Sequence, residues 1–249
     1  MSILDFLIQQ KQNRKKGLAI LIDPDQHNSS TTEIYYQAKK CGIDLFLIGG
    51  SILSNGVTQD VVNSLKSLGA EKVVLFPGNE IQLVENADAI LFMSLISGRN
   101  PEYLIGKQVI AAPWIKKHKI ESISTGYMLI ESGKLTSALY ISGTLPLPSD
   151  KPDIAAATAM AGELLGMKLM YLDAGSGAKN PANASVISAI NSNTDCLLFV
   201  GGGITNPEQA KLAWENGADY VVVGNGIFEN FNLISELADT LVIQNSNIQ

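Results

Sequence analysis

Apolar residues fall into short continuous runs, each followed by a longer stretch in which apolar positions return every three or four residues. Eight runs have strand length: residues 18–23, 44–48, 72–76, 89–93, 123–130, 169–173, 197–200 and 220–223. Most are continuously apolar rather than alternating, the pattern of strands covered on both faces. The stretches between them carry helix signals. Thr31 or Thr32 opens residues 33–41 and Gly42 closes them, as a helix C-cap should. Asn180-Pro181 precedes residues 182–190, with proline where a first helical turn tolerates it. Thr205-Asn206-Pro207-Glu208 repeats that device before residues 209–216, and Gly217 ends them. Eight β units with seven or eight helices predict an α/β fold, a (β/α)8 TIM barrel, with an extra N-terminal helix over residues 3–14 capping one end. A dinucleotide-binding fold would want GxGxxG after the first strand; this one ends in Asp23-Pro24-Asp25. Residues 96–152 break the rhythm. They predict a helix over 101–119, a long strand or hairpin through 124–139, and an extended loop enforced by Pro146, Pro148 and Pro152.

Composition narrows the classes. A chain of 249 residues exceeds the usual domain of roughly 150, but α/β barrels of about 250 share one core. With no linker and no repeat beyond the βα rhythm, one domain over residues 1–249 is expected. Hydrophobic residues at 46% against 17% charged exclude disorder. A net charge of −6 argues against nucleic acid as a partner, while leaving room for a local basic patch. Mean hydropathy is +0.15, yet no apolar run reaches the ~18 residues that span a bilayer. The first sixteen residues are amphipathic and include Asp5, unlike a signal peptide. Cys41 and Cys196 form no CxxC. The expectation is a cytoplasmic enzyme or binding protein.

The chemistry concentrates at the C-terminal ends of the runs. Three glycine-rich turns follow the last three strands: Ala174-Gly175-Ser176-Gly177, Gly201-Gly202-Gly203 and Gly224-Asn225-Gly226. Barrel active sites lie on that face, and phosphate binds there because glycine lets backbone N–H groups approach an anion. Any one such turn also serves simply as a tight connection; three in succession point to phosphate. Asp23 and Asp25 end the first strand, and Ser51 follows Gly49-Gly50 at the end of the second. Hard carboxylate oxygens suit Mg²⁺, which takes one or two carboxylates plus substrate phosphates. The structural alternative for Asp25 is a turn or cap. Asp173 precedes the first glycine turn, with Tyr171 two positions earlier. A carboxylate beside a phosphate cradle repels the ligand unless it binds a hydroxyl or accepts its proton. His27 and His118 read as polar loop or surface residues, and Lys11, Arg14, Lys15 and Lys16 as a solvated helix face or a contact for an anionic membrane. Arg99 and Lys179 fall in loops on the active face.

Read together, Leu21-Ile22-Asp23-Pro24-Asp25, Ile48-Gly49-Gly50-Ser51, Tyr171-Leu172-Asp173-Ala174-Gly175-Ser176-Gly177, Gly201-Gly202-Gly203-Ile204 and Val223-Gly224-Asn225 resemble the geranylgeranylglyceryl phosphate synthase family and its bacterial heptaprenylglyceryl relatives. The pieces span nearly the whole chain in order. Asn100-Pro101-Glu102-Tyr103-Leu104-Ile105-Gly106 and the stretch from Leu145-Pro146 look like the longer, archaeal-type members. The resemblance implies a barrel enzyme that joins geranylgeranyl diphosphate to the C3 hydroxyl of sn-glycerol 1-phosphate with Mg²⁺. Asp23 and Ser51 would hold the metal against the diphosphate. Tyr171, Leu172, Asp173, Ala174, Gly175, Ser176 and Gly177 would receive glycerol phosphate, with Asp173 and Tyr171 catalytic. Gly202, Gly203, Gly224 and Asn225 would close on its phosphate. The family usually has glutamate where this chain has Asp173, so the carboxylate is one methylene shorter. Residues 111–140 would line a groove for the prenyl chain, with Trp114 or Tyr127 limiting its depth. A homo-oligomer and peripheral contact with membrane are further expectations of the resemblance.

Two rival classes share the bare pattern. Phosphate-sugar isomerases and lyases place glycine turns on similar barrels but need an acid/base pair, and no Lys or His stands at a predicted strand end to partner Asp173. A phosphate-ligand sensor would keep the cradle without needing Asp23, Ser51 and Asp173.

Overall fold

The computed structural model describes residues 1–27 and 30–246. Eight parallel strands close a barrel in sequence order: β1 (Gly17–Ile22), β2 (Leu45–Ile48), β3 (Lys72–Leu75), β4 (Ala89–Leu95), β5 (Glu121–Leu129), β6 (Leu169–Asp173), β7 (Leu197–Gly201) and β8 (Tyr220–Val223). Each lies within a few residues of its predicted run. Among the described residues ten helices accompany them: α1 (Ile3–Gln12), α2 (Ser30–Lys40), α3 (Thr58–Ser67), α4 (Lys107–His118), α5 (Ser137–Ser142), α6 (Pro152–Leu164), α7 (Ala184–Asn193), α8 (Pro207–Glu215), α9 (Asn225–Glu229) and α10 (Asn232–Ser246).

Strand side chains alternate between two apolar layers. Leu18, Ile20, Phe46, Ile48, Met170, Leu172, Val221 and Val223 point outward and pack against the helices. Ala19, Leu45, Leu47, Leu169, Tyr171, Phe199, Tyr220 and Val222 fill the barrel interior. This two-sided burial explains why the runs read as unbroken apolar segments. The alternation also carries the chemistry, because the inward row of β1 leads to Asp23 and that of β6 through Tyr171 to Asp173.

The extra helix α1 closes the N-terminal end of the barrel with Ile3 and Leu7 packed into the interior layer. Its exposed N–H groups are satisfied from across the chain: Glu121 accepts from Ile3 N at 2.7 Å and Leu4 N at 2.8 Å. Lys11 pins the other end, donating to Asp219 at 2.9 Å and to the Cys196 carbonyl at 2.7 Å. Lys11 is therefore a structural contact rather than part of a solvated face.

The central stretch departs from expectation. The predicted helix over 101–119 appears as a π-type turn, Glu102–Gly106, running into α4. No hairpin extends through residue 139. β5 ends at Leu129, and Ser137–Ser142 form the short helix α5. Pro152 does not prolong an extended loop; it opens α6 at the first helical position, where its missing N–H costs nothing.

Candidate active site

The C-terminal ends of the strands surround a mouth cleft of about 440 Å³. Asp23, Ser51, Tyr171, Asp173, Ser176, Gly177, Gly202, Gly203, Gly224 and Asn225 all line it. The remaining expected substrate contacts do not. Leu172 belongs to the outward row and is buried against the helices, so its side chain is turned away from the cleft. Ala174 and Gly175 are buried beneath the turn that they form.

Asp173 is the central polar group. Its side chain is buried, with Oδ2 accepting the Tyr127 hydroxyl at 2.5 Å and Oδ1 accepting Gly175 N at 2.6 Å. Burial pushes its carboxyl above the ordinary aspartate range, while these two donors pull in the other direction. Burial also pushes the Tyr127 and Tyr171 phenols well up, and the Asp173 charge adds to it, so both keep their protons at neutral pH. Tyr171 stacks on Phe76 with ring centres 4.7 Å apart, which fixes its hydroxyl end.

The glycine turns wrap one side of this carboxylate. Gly202 has a φ of +81°, and a Cβ there would lie 2.5 Å from Gly175 N and 2.6 Å from Asp173 Oδ1. Only glycine fits both the conformation and the space. Asn225 Nδ2 donates to Ser176 Oγ at 2.9 Å, joining the turn after β8 to the turn after β6. Lys134, which the sequence does not single out, brings its Nζ to 3.4 Å from where a Cβ on Gly177 would stand. The fold thus places a cation above the glycine turn.

On the opposite side, Asp23 is half-buried and its carboxyl is raised, chiefly by burial. Oδ1 accepts Asp25 N at 3.0 Å, and no lysine or arginine among the described residues pairs with it. Asp25 takes the structural alternative. Its carboxylate accepts Ser54 N at 2.8 Å, Asn55 N at 3.0 Å and Gly56 N at 2.6 Å, and these bonds hold it below the usual carboxylate range. No cluster of three or more His, Cys, Asp or Glu among the described residues could hold a metal ion alone. One half-buried carboxylate with Ser51 in the same cleft suits an ion that takes most of its ligands from substrate and water, which is the habit of Mg²⁺.

A second cavity opens beside β3 and β4 and shares Gly50, Ser51, Phe76 and Tyr127 with the mouth cleft. Its walls are largely apolar and include Leu83, Ile90, Phe92, Met93, Leu95 and Ala111. Lys107 and Glu80, 2.9 Å apart, form an ion pair on its wall. Of the two residues expected to limit depth, Tyr127 lines both cavities. Trp114 lines neither, since it stacks on His118 at 4.3 Å and packs into the helix-facing core. Arg99 turns back onto the carbonyls of Ile96 and Gly98, and Lys179 is exposed outside the cleft. His27 Nδ1 meets Thr31 Oγ1 at 2.9 Å and His118 faces Glu85 at 3.2 Å, so neither histidine enters the site.

Tyr127 is the residue whose full role the sequence reading missed. A signal existed: Ile123 and Tyr127 share the inward parity of β5, and Tyr127 sits in register with Tyr171.

Comparison with known proteins agrees with this geometry. Residues 10–241 match the PcrB family. The geranylgeranylglyceryl phosphate synthase of Spirosoma linguale is 45% identical over 236 residues, covering 94% of this chain and 95% of that protein. The enzyme of the same name from Chitinophaga pinensis is 47% identical over 242 residues, covering 96% and 95%. The crystal structure of (S)-3-O-geranylgeranylglyceryl phosphate synthase from Thermoplasma acidophilum, in complex with its substrate sn-glycerol-1-phosphate, superposes with a TM-score of 0.90 at 29% identity and covers 99% of both chains. The chain belongs to the PcrB family, together with these synthases.

Proposed function

We propose that the chain transfers a geranylgeranyl group from its diphosphate to the C3 hydroxyl of sn-glycerol 1-phosphate. One observation carries the reading: a buried carboxylate, Asp173, lines a glycine-lined polar cleft and is hydrogen-bonded by Tyr127, which lines both that cleft and the apolar groove beside it. A phosphate ester with a free hydroxyl suits the cleft, and a long hydrocarbon tail suits the groove. The relatives named above support the same substrates.

The glycine turns hold the phosphate through backbone N–H groups, each such bond to a charged ligand contributing about 1.5–3 kcal/mol. That anchorage presents the C3 hydroxyl to Asp173, which accepts its hydrogen bond and then its proton. The ether C–O bond forms as the allylic C–O bond to diphosphate breaks, and diphosphate leaves with the bonding pair. Burial raises the basicity of Asp173, which suits it to take that proton. The protonated phenols of Tyr127 and Tyr171 stay as neutral donors beside it. Asp23 and Ser51 are the residues that would hold Mg²⁺, which when bound neutralises charge building on the leaving diphosphate. The apolar groove fixes the tail and keeps water from the reacting carbon.

An isomerase or lyase reading finds no lysine or histidine to work with Asp173 among the described residues that line the cleft. The deciding experiment incubates the protein with Mg²⁺, geranylgeranyl diphosphate and labelled sn-glycerol 1-phosphate, with the sn-3 enantiomer as control. Label entering the organic phase with the sn-1 isomer alone is the expected result. No transfer with any prenyl donor, despite glycerol phosphate binding, would overturn the reading.

A further inference from the structure

The loop bearing Ser51 is held by a side chain that lines neither cavity. Gln82 ends the short turn Glu80–Gln82 after β3 and is fully buried. Its Nε2 donates to the Gly50 carbonyl at 2.7 Å, while Oε1 accepts Gly50 N at 3.3 Å and Gly78 N at 3.2 Å. The side-chain amide thus acts as a neighbouring strand would, engaging both backbone groups of one residue. It stitches the loop after β2 to the loop after β3.

Gly50 is confined from the other side as well. A Cβ there would stand 2.9 Å from both carboxylate oxygens of Asp23. The backbone of Gly50 is therefore clasped between the Gln82 amide and the Asp23 carboxylate, and Ser51 is the next residue along. Asp25 fixes the far end of the same loop through Ser54, Asn55 and Gly56. A buried glutamine is expected to find partners somewhere. Here both residues it bonds, Gly50 and Gly78, belong to loops that line the cavities, and Gly50 lines both.

We propose that Gln82 is a positioning residue that sets the Ser51 loop against Asp23 and so fixes the spacing of the two groups that meet the diphosphate end. The inference rests on the assignment of Asp23 and Ser51 made above. It predicts a split: disturbing Gln82 harms the diphosphate side and spares the glycerol phosphate side, whose glycine turns hang on other strands.

The test uses Gln82→Met, similar in length without hydrogen bonds, and Gln82→Glu, which keeps an acceptor but loses the donor to Gly50. Binding of Mn²⁺ with inorganic pyrophosphate is followed by electron paramagnetic resonance, and binding of sn-glycerol 1-phosphate by calorimetry. Circular dichroism establishes that each variant is folded. A loss of about tenfold or more in Mn²⁺–pyrophosphate affinity, which is about 1.4 kcal/mol, is expected, with a matching fall in kcat/KM for the prenyl diphosphate. Glycerol phosphate affinity should stay within about twofold, well inside that energy. Unchanged pyrophosphate binding in a folded variant overturns the proposal, as does an equal loss for both ligands, which would mark a general packing role. If Gln82→Met does not fold, Gln82→Glu decides. A wild-type protein that fails to bind Mn²⁺ and pyrophosphate would overturn the site assignment itself, before any variant is compared.

Discussion

Replacing Tyr127 with phenylalanine removes one oxygen and leaves the ring. The ring contacts to Phe76 at 5.8 Å and to Tyr171 at 5.7 Å are then retained, so the barrel interior keeps its packing. What is lost is the 2.5 Å hydrogen bond to Asp173 Oδ2. A hydrogen bond to a charged group contributes about 1.5–3 kcal/mol, and without it less Asp173 is ionised at neutral pH and the carboxylate loses one of its two fixed donors, so kcat/KM at neutral pH should fall. The pH dependence gives a sharper reading. The Tyr127 bond lowers the Asp173 pKa against the upward push of burial. Its removal raises that pKa further, so the acidic limb of the kcat/KM profile must move to higher pH. The sign for stability follows from linkage. A carboxyl whose folded pKa is raised stabilises the fold below its unfolded pKa and loses that contribution as pH rises through the folded pKa. Tyr127→Phe should therefore destabilise the protein more at pH 8 than at pH 4. Steady-state rates across pH, with thermal melts at both ends, measure all of this. A Tyr127→Phe variant with wild-type rate and an unmoved acidic limb would refute the claim that this phenol tunes the base.

Asp173→Asn should abolish prenyl transfer yet raise Tm at pH 7, because the neutral amide escapes the burial penalty; the gain should fade toward acid, where wild-type Asp173 is itself protonated. Asp23→Asn should lose turnover while calorimetry still shows glycerol phosphate binding, and unchanged activity would remove Asp23 from the diphosphate end. Gly202→Ala should cost about 1–3 kcal/mol for its left-handed backbone alone, and more for the approach to Asp173 Oδ1. Its glycerol phosphate affinity should drop in the same calorimetric assay, and a variant that binds normally would exclude the turn after β7 from the cradle.

One half of the site was legible in the sequence because its chemistry is written in residue type. Glycines at strand ends have few other reasons to recur in three consecutive βα units, and Asp173 next to one of them is conspicuous. Strand parity then placed Asp23, Tyr171 and Asp173 on the inward row. The resemblance includes Leu172 as part of the whole motif, and parity along β6 sets its side chain on the outward row. In the structure that residue is buried against the helices.

The other half is made of residues whose roles arise only from long-range contact. Gln82 looks like any polar residue in a loop until β2 and β3 pair in register and bring Gly50 beside it. Tyr127 looks like a strand aromatic until its neighbour in β6 places Asp173 within reach, across 46 residues of sequence. The hydrophobic pattern also failed between β5 and β6 for a physical reason. The prolines there read as breakers in the sequence, yet one of them begins a helix, and the alanine-rich run after Pro152 supplies the propensity that completes it. The short helix α5 begins inside the expected strand or hairpin, and it supplies Ala138 and Ile141 to the wall of the apolar groove. A barrel's phosphate side is thus specified locally, turn by turn, whereas its hydrocarbon side is specified by how neighbouring units lean on one another. Substitutions on the first side should act on one ligand at a time, and those at Gln82 or Tyr127 should act through groups they merely hold.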